Sequence, residues 1–225
     1  MEPHDHTLLV VDDDPEVRAS IAALALSIGL DCQTFASGEE FLDHFEPSRA
    51  ICVVIDFRIG GMDGLQLQEH LARLDDTLPV IMVTAYGSVA VAVRAMMNGA
   101  LTVLEKPCDS DALTDAIRRA SRIHRRTEAA HHRRASLQAH FSSLDPRERA
   151  VMARVVAGSP NKTIARDLSL SQRTVNRVRA SVFKKMGAEH AVDLTQMAAE
   201  LWDSETLPAA ELRRGNLPGP GVLSF

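Results

Sequence analysis

Ile51-Cys52-Val53-Val54-Ile55-Asp56 is an unbroken apolar run that ends on a carboxylate. A short run with no polar alternation reads as a strand buried on both faces, the habit of parallel sheets covered by helices. Three other segments repeat the plan. Thr7-Leu8-Leu9-Val10-Val11 ends in Asp12-Asp13-Asp14, Val80-Ile81-Met82-Val83 ends in Thr84, and Leu101-Thr102-Val103-Leu104 precedes Lys106-Pro107. Each strand delivers a polar group at its carboxyl end, and in an open α/β sheet that edge is where ligands bind. Carboxylates, a hydroxyl and an ammonium gathered there suit a divalent cation and a phosphoryl group.

The segments between these strands carry helical signals. Pro15 is placed for a first helical turn, Val17, Ile21, Leu24 and Ile28 make an apolar stripe, and Gly29 ends it. Cys32–Phe35 reads as a fifth strand, Ser37 caps a helix with Phe41, Leu42 and Phe45, and Leu65, Leu67, Leu71 and Leu74 mark a helix after Gly64. Ser88 starts a helix ending near Gly99, and Asp109 begins another. Five βα repeats predict a doubly wound, five-stranded parallel sheet. Residues 118–140 read as a helical linker rich in Arg, His and Ala. His131-His132 reads as part of an exposed basic helix rather than a metal site.

From Leu144 the pattern changes to short helices, predicting a small all-α domain. Asp145-Pro146-Arg147-Glu148 is a capping box, Asn161 is expected to cap a second helix, and Ser171 a third with Val175, Val178, Val182 and Met186 on one face. A fourth covers about 191–202. The tail from Ser204, with Pro208, Pro218 and Pro220, is expected to be disordered.

The formal charge of −5 hides an asymmetry. Residues 1–120 hold 8 Lys and Arg against 20 Asp and Glu, a net −12, whereas residues 121–225 hold 17 against 10, a net +7. The second half is equipped for a polyanion. Three cysteines without CxxC spacing fit a reducing cytoplasm, and the polar start Met1–His6 does not read as a signal peptide. No apolar run approaches the roughly 20 residues of a membrane span.

Asp12-Asp13, Asp56, Thr84 and Lys106-Pro107, on successive strand ends, resemble the receiver domain of bacterial response regulators over about residues 5–122. The resemblance implies that Asp56 accepts a phosphoryl group from the phosphohistidine of a sensor histidine kinase. Mg²⁺ would be held by Asp13 and Asp56, by Asp12 through water, and by the backbone carbonyl of Arg58. Lys106 would pair with a phosphoryl oxygen, and Thr84 would donate to the phosphate once it is present. In that family the Lys-Pro peptide is cis, which this sequence permits.

Two departures bear on switching. Gly60 stands in Ile59-Gly60-Gly61-Met62-Asp63-Gly64 where the family usually has Pro, so this loop is expected to be looser. Val103 replaces the usual inward-turning Tyr or Phe, leaving the backbone after Thr84, with Tyr86, to report its movement. The helix Val89–Met97 is apolar nearly all round, and the family dimerises through this face. Val89, Val93, Met96 and Met97 are therefore expected in a homodimer formed on phosphorylation.

Residues 143–203 resemble the LuxR-type helix-turn-helix domain, especially its FixJ branch. The resemblance rests on Leu144–Arg149, Val156-Ala157-Gly158, Asn161–Ala165, Leu168, Ser171–Val175 and Lys184-Lys185-Met186. On the third helix Arg173, Asn176, Arg177, Ala180 and Lys184 face away from the apolar stripe. That fits a recognition helix in a major groove, with Arg177 suited to guanine, Asn176 to adenine, and Lys162, Thr174 and Lys184 to phosphates.

The expected whole is a two-domain transcription regulator, residues 123–142 linking the two and residues 204–225 forming the tail. Paired domains would bind double-stranded DNA and engage RNA polymerase. Two rival readings stand beside this one. A metal-dependent phosphatase or phosphotransferase using Asp56 as nucleophile would want a second acid two residues past it, where Arg58 stands. A phosphorylation-independent DNA-binding regulator with a weakened receiver is kept alive by Gly60 and Val103.

Overall fold

The computed structural model describes residues 7–46, 50–75, 77–85 and 89–202. Tyr86, the helix start expected at Ser88, the polar N-terminus and the tail from Ser204 lie outside the described residues. The chain divides into two compact units, residues 1–129 and 130–225.

The first unit runs β1 (Thr7–Val11), α1 (Pro15–Ser27), β2 (Asp31–Phe35), α2 (Gly38–His44), β3 (Ala50–Asp56), α3 (Gly64–Leu74), β4 (Val80–Thr84), α4 (Val89–Met97) and β5 (Thr102–Glu105). Helix α5 (Ser110–Ser142) begins in this unit, and the division falls within it. The five strands are parallel in the order β2-β1-β3-β4-β5. Winding reverses between β1 and β3, which opens a crevice at their carboxyl ends. The register pairs Val11 with Ile55, Asp56 with Val83 and Thr84 with Glu105, so the polar residues share one edge.

Alternation along the strands builds two cores. Leu9, Val11, Val53, Ile55 and Met82 face Phe41, Leu67 and Leu71. Leu8, Val10, Cys52, Val54, Ile81 and Val83 face Ile21, Ala25, Leu113 and Ile117. Every residue of β3 is buried, as its continuous apolar run requires. Burying each such aliphatic side chain contributes about 1.5–3 kcal/mol, and this fixes which strand ends meet. Leu74, one of the four leucines that mark α3 in the sequence, is the last residue of that helix and is exposed.

The second unit contains the end of α5, α6 (Pro146–Val156), α7 (Asn161–Asp167), α8 (Gln172–Met186) and α9 (Ala191–Leu201). Leu137 and Phe141 of α5 join Val151, Met152, Ile164, Val175, Val182 and Trp202 in its core. Phe141 meets Trp202 edge to face at 4.9 Å. The expected capping box forms, with Glu148 N–H donating to Asp145 Oδ1 and Asp145 N–H to Glu148 Oε2, both at 2.8 Å. Ser171 caps α8 through Thr174 N–H. Asn161 does not cap α7: Pro160 occupies that position, and Asn161 is the first helical residue with its side chain spent elsewhere. Ser169, at φ 54°, makes the tight turn into α8.

Candidate phosphoacceptor pocket and nucleic-acid interface

Asp12 leaves the sheet immediately after β1 and is almost wholly buried, whereas Asp13 is exposed. Asp12 Oδ1 accepts from Asp14 N–H at 3.0 Å. Arg18, one turn into α1, donates Nη1 to the carbonyls of Asp12 and Asp13 at 2.7 and 3.0 Å. This clamp on the loop was not read from the sequence, since an Arg on a helix surface carries no local signal of it.

Asp56 ends β3, with 7 % of its surface exposed. Phe57 N–H donates to Val83 O at 2.8 Å, and Gly64 N–H returns to Phe57 O at 2.9 Å. A Cβ on Gly64 would collide with the Asp56 carbonyl oxygen, so only glycine lets α3 start against this strand end. Gly61, at φ 85°, makes the intervening turn.

Lys106 arrives from the end of β5, its N–H donating to Thr84 O at 2.8 Å. The Lys106-Pro107 peptide is cis. Its ammonium donates to Asp12 Oδ2 at 2.6 Å and to Asp56 Oδ2 at 3.0 Å. Thr84 is buried on the neighbouring strand end. One carboxylate oxygen from each of Asp12, Asp13 and Asp56 lies within 4.8 Å of the others. The strand ends therefore bring together Asp12, Asp13, Asp56 and Lys106, with Thr84 beside them.

Burial pushes the Asp56 carboxyl up, Lys106 pulls it back, Asp12 pushes it up again, and the net shift is upward. A hydrogen bond from the Arg58 backbone adds to the downward pull. Burial lowers the Lys106 ammonium, but its hydrogen bonds to Asp12 and Asp56 outweigh that and leave it raised. Three carboxylates facing one ammonium leave excess negative charge. Hard oxygen donors packed this closely fit a small divalent cation.

In the second unit the outer stripe of α8 presents Arg173, Asn176, Arg177, Ala180 and Lys184, all exposed, opposite buried Val175, Val178, Val182 and Met186. Lys162 is exposed on α7, and the Thr174 hydroxyl meets Ser171 Oγ at 2.8 Å. Asn176 Oδ1 accepts from Asn161 Nδ2 at 2.8 Å, and Arg179 Nη1 donates to Asn161 Oδ1 at 2.9 Å.

Glu148 is a further residue whose weight sequence reasoning missed. It is buried, accepting from Ser181 Oγ and Lys185 Nζ at 2.7 Å each as well as from Asp145 N–H. Burial raises its carboxyl, but these donors win and hold it below its ordinary value. The capping-box pattern located Glu148 but gave no sign that it also anchors α8.

On α4, Val89 and Met97 are 80 % and 81 % exposed, and Val93 and Met96 are also exposed. No helix among the described residues is long and apolar enough to cross a membrane.

Comparison with known proteins gives two family matches. Residues 8–118 match the response regulator receiver domain, and residues 142–198 match the bacterial regulatory proteins of the luxR family. Nodulation protein W of Bradyrhizobium diazoefficiens is 39 % identical over 194 residues, covering 86 % of each chain. The transcriptional regulatory protein FixJ of Rhizobium meliloti is 38 % identical over 194 residues, 86 % of this chain and 95 % of that one. Among solved structures, the response regulator StyR superposes with a TM-score of 0.79 at 34 % identity, covering 86 % of this chain and 98 % of that chain.

Proposed function

The chain belongs to the two-component response regulators, pairing a receiver with a LuxR-type DNA-binding domain as FixJ does, and on that premise we propose that Asp56 is its phosphoacceptor. The observation that carries this is the convergence of Asp12, Asp13, Asp56 and Lys106 on one sheet edge. An Asp56 carboxylate oxygen attacks the phosphorus of a kinase phosphohistidine, the P–N bond breaks, and an acyl phosphate remains on Asp56. Lys106 already bridges Asp12 and Asp56, so its ammonium is positioned to shift onto a phosphoryl oxygen. Thr84, on the adjacent strand end, would donate its hydroxyl to the phosphate.

Mg²⁺ held by Asp12, Asp13, Asp56 and the Arg58 carbonyl would neutralise charge shared between carboxylates and phosphoryl oxygens. The closeness of the three acids and their all-oxygen donor set support that choice.

The exposed Val89, Val93, Met96 and Met97 supply the face through which phosphorylated receivers pair as a homodimer. Residues 5–122 act as the receiver, 123–142 as linker and 143–203 as the DNA-binding domain. Lys162, Arg173, Thr174, Asn176, Arg177 and Lys184 meet double-stranded DNA, and the paired complex engages RNA polymerase in the cytoplasm. Pairing raises affinity because the second half-site contact becomes intramolecular.

The test is to incubate the full chain with a small acyl-phosphate donor and Mg²⁺, with Asp56→Asn alongside, and measure mass and oligomeric state. One added phosphoryl group, absent in the variant and accompanied by dimerisation, is the expected result. Unmodified protein that binds DNA as Asp56→Asn does would favour a phosphorylation-independent regulator.

A further inference from the structure

We infer that Asn161 and Arg179 act as positioning residues that set the polarity of the Asn176 amide, so that Asn176 offers DNA a hydrogen-bond donor. The inference rests on α8 entering the major groove as proposed above. Arg179 sits on the less exposed side of α8, its guanidinium 5.2 Å over the Phe183 ring and its Nη1 on Asn161 Oδ1.

A guanidinium has donors only. Asn161 must therefore turn its oxygen toward Arg179, and its Nδ2 falls toward α8, 2.8 Å from Asn176. A donor arriving from Asn161 can be met only by Oδ1 of Asn176. The chain of constraints runs from Arg179 through Asn161 to Asn176, and the Nδ2 of Asn176 is left as the end directed away from α7.

This matters for base choice. An asparagine that grips adenine uses both ends of its amide, accepting from N6 and donating to N7. Oδ1 keeps a second lone pair, but the bond from Asn161 turns that oxygen toward α7 and leaves Nδ2 as the leading end, so Asn176 reads an acceptor edge. In the major groove that means guanine O6 or N7, or thymine O4, in preference to the adenine its residue type alone suggests.

The decisive substitution inverts the relay. In Asn161→Asp the new carboxylate still accepts from Arg179 but can no longer donate. Asn176 must then turn its Nδ2 inward and its Oδ1 outward, which favours the N6 amino group of adenine or the N4 amino group of cytosine. Asn161→Ala removes the constraint without reversing it.

The experiment selects bound duplexes from a randomised pool with the full chain and with Asn161→Asp, Asn161→Ala, Asn176→Ala and Arg177→Ala, using Trp202 fluorescence to confirm the fold. At the position whose preference disappears in Asn176→Ala, wild type is expected to favour guanine or thymine. Asn161→Asp shifts that preference by about tenfold toward adenine or cytosine, and Asn161→Ala flattens it. Retention of the wild-type base in Asn161→Asp, or an undiminished preference in Asn161→Ala, overturns the relay. If Asn176→Ala alters no position the relay also fails, while an altered position in Arg177→Ala leaves the groove reading standing. Absence of any sequence preference in wild type overturns both.

Discussion

Lys106→Gln removes the ammonium that pairs with the Asp12 and Asp56 carboxylates, at 2.6 and 3.0 Å. Both carboxylates are buried, at 2 % and 7 % exposure, so neither recovers full hydration. Deleting one partner of such a pair costs about 3–5 kcal/mol when the remaining charge is left uncompensated. Two features put this case at or below the low end. The Lys106 side chain is itself 20 % exposed, and Asp56, already raised by burial, can take up a proton. A loss of about 2–3 kcal/mol follows, lowering the melting temperature of the first unit by roughly 6–12 °C.

The deficit also has a pH signature. A carboxyl raised in the folded state favours folding below its unfolded value, and that contribution is lost as pH rises through the folded value. Removing Lys106 raises Asp56 further. The deficit is therefore largest near neutral pH and shrinks as pH falls toward the ordinary Asp range. The chain has one tryptophan, Trp202, in the core of the second unit. Far-UV circular dichroism follows both units, while Trp202 fluorescence follows the second alone. The expected record is a lowered first-unit transition with the fluorescence transition unchanged. An unshifted first unit at pH 7, or a deficit that grows on acidification, would refute the reasoning.

Three other outcomes follow from the same geometry. Gly64→Ala places a methyl group against the Asp56 carbonyl; it should cost about 1–3 kcal/mol and slow acyl-phosphate labelling of Asp56, by melting and by mass. Adding Mg²⁺ to chelator-treated protein should raise the first-unit melting temperature, and Asp13→Asn should weaken that rise; equal shifts in both would argue against the proposed ligand set. Glu148 is held below its ordinary value, so its contribution is present above the unfolded carboxyl range and lost as pH falls through the folded value. Glu148→Gln should destabilise the second unit at pH 7 and flatten its acid unfolding, read by Trp202 fluorescence.

The strand ends were legible because period and termination are local properties. An apolar run that stops on Asp or Thr states both its burial and the edge it serves, and parallel strands bring all such edges together. The capping box at Asp145–Glu148 and the apolar stripe of α8 were legible for the same reason. Asn161 was not, since asparagine before a helix normally signals a cap, while Pro160 took that place and freed the side chain to reach α8. Arg18 looked like an ordinary helix-surface residue, and Glu148 like a capping residue alone, until the folded chain supplied their further partners.

From the sequence alone, then, came the doubly wound sheet, the helical second domain, and the residues that meet at the carboxyl edge of the sheet. Only the tertiary structure decided that Lys106 spans Asp12 and Asp56, respectively 94 and 50 residues away in sequence. It also decided that Asn176 Oδ1 accepts from Asn161 on the neighbouring helix. Local pattern fixes where a side chain emerges from its own strand or helix. Which partner claims its hydrogen bonds depends on elements distant in the chain, brought alongside by the packing of the core.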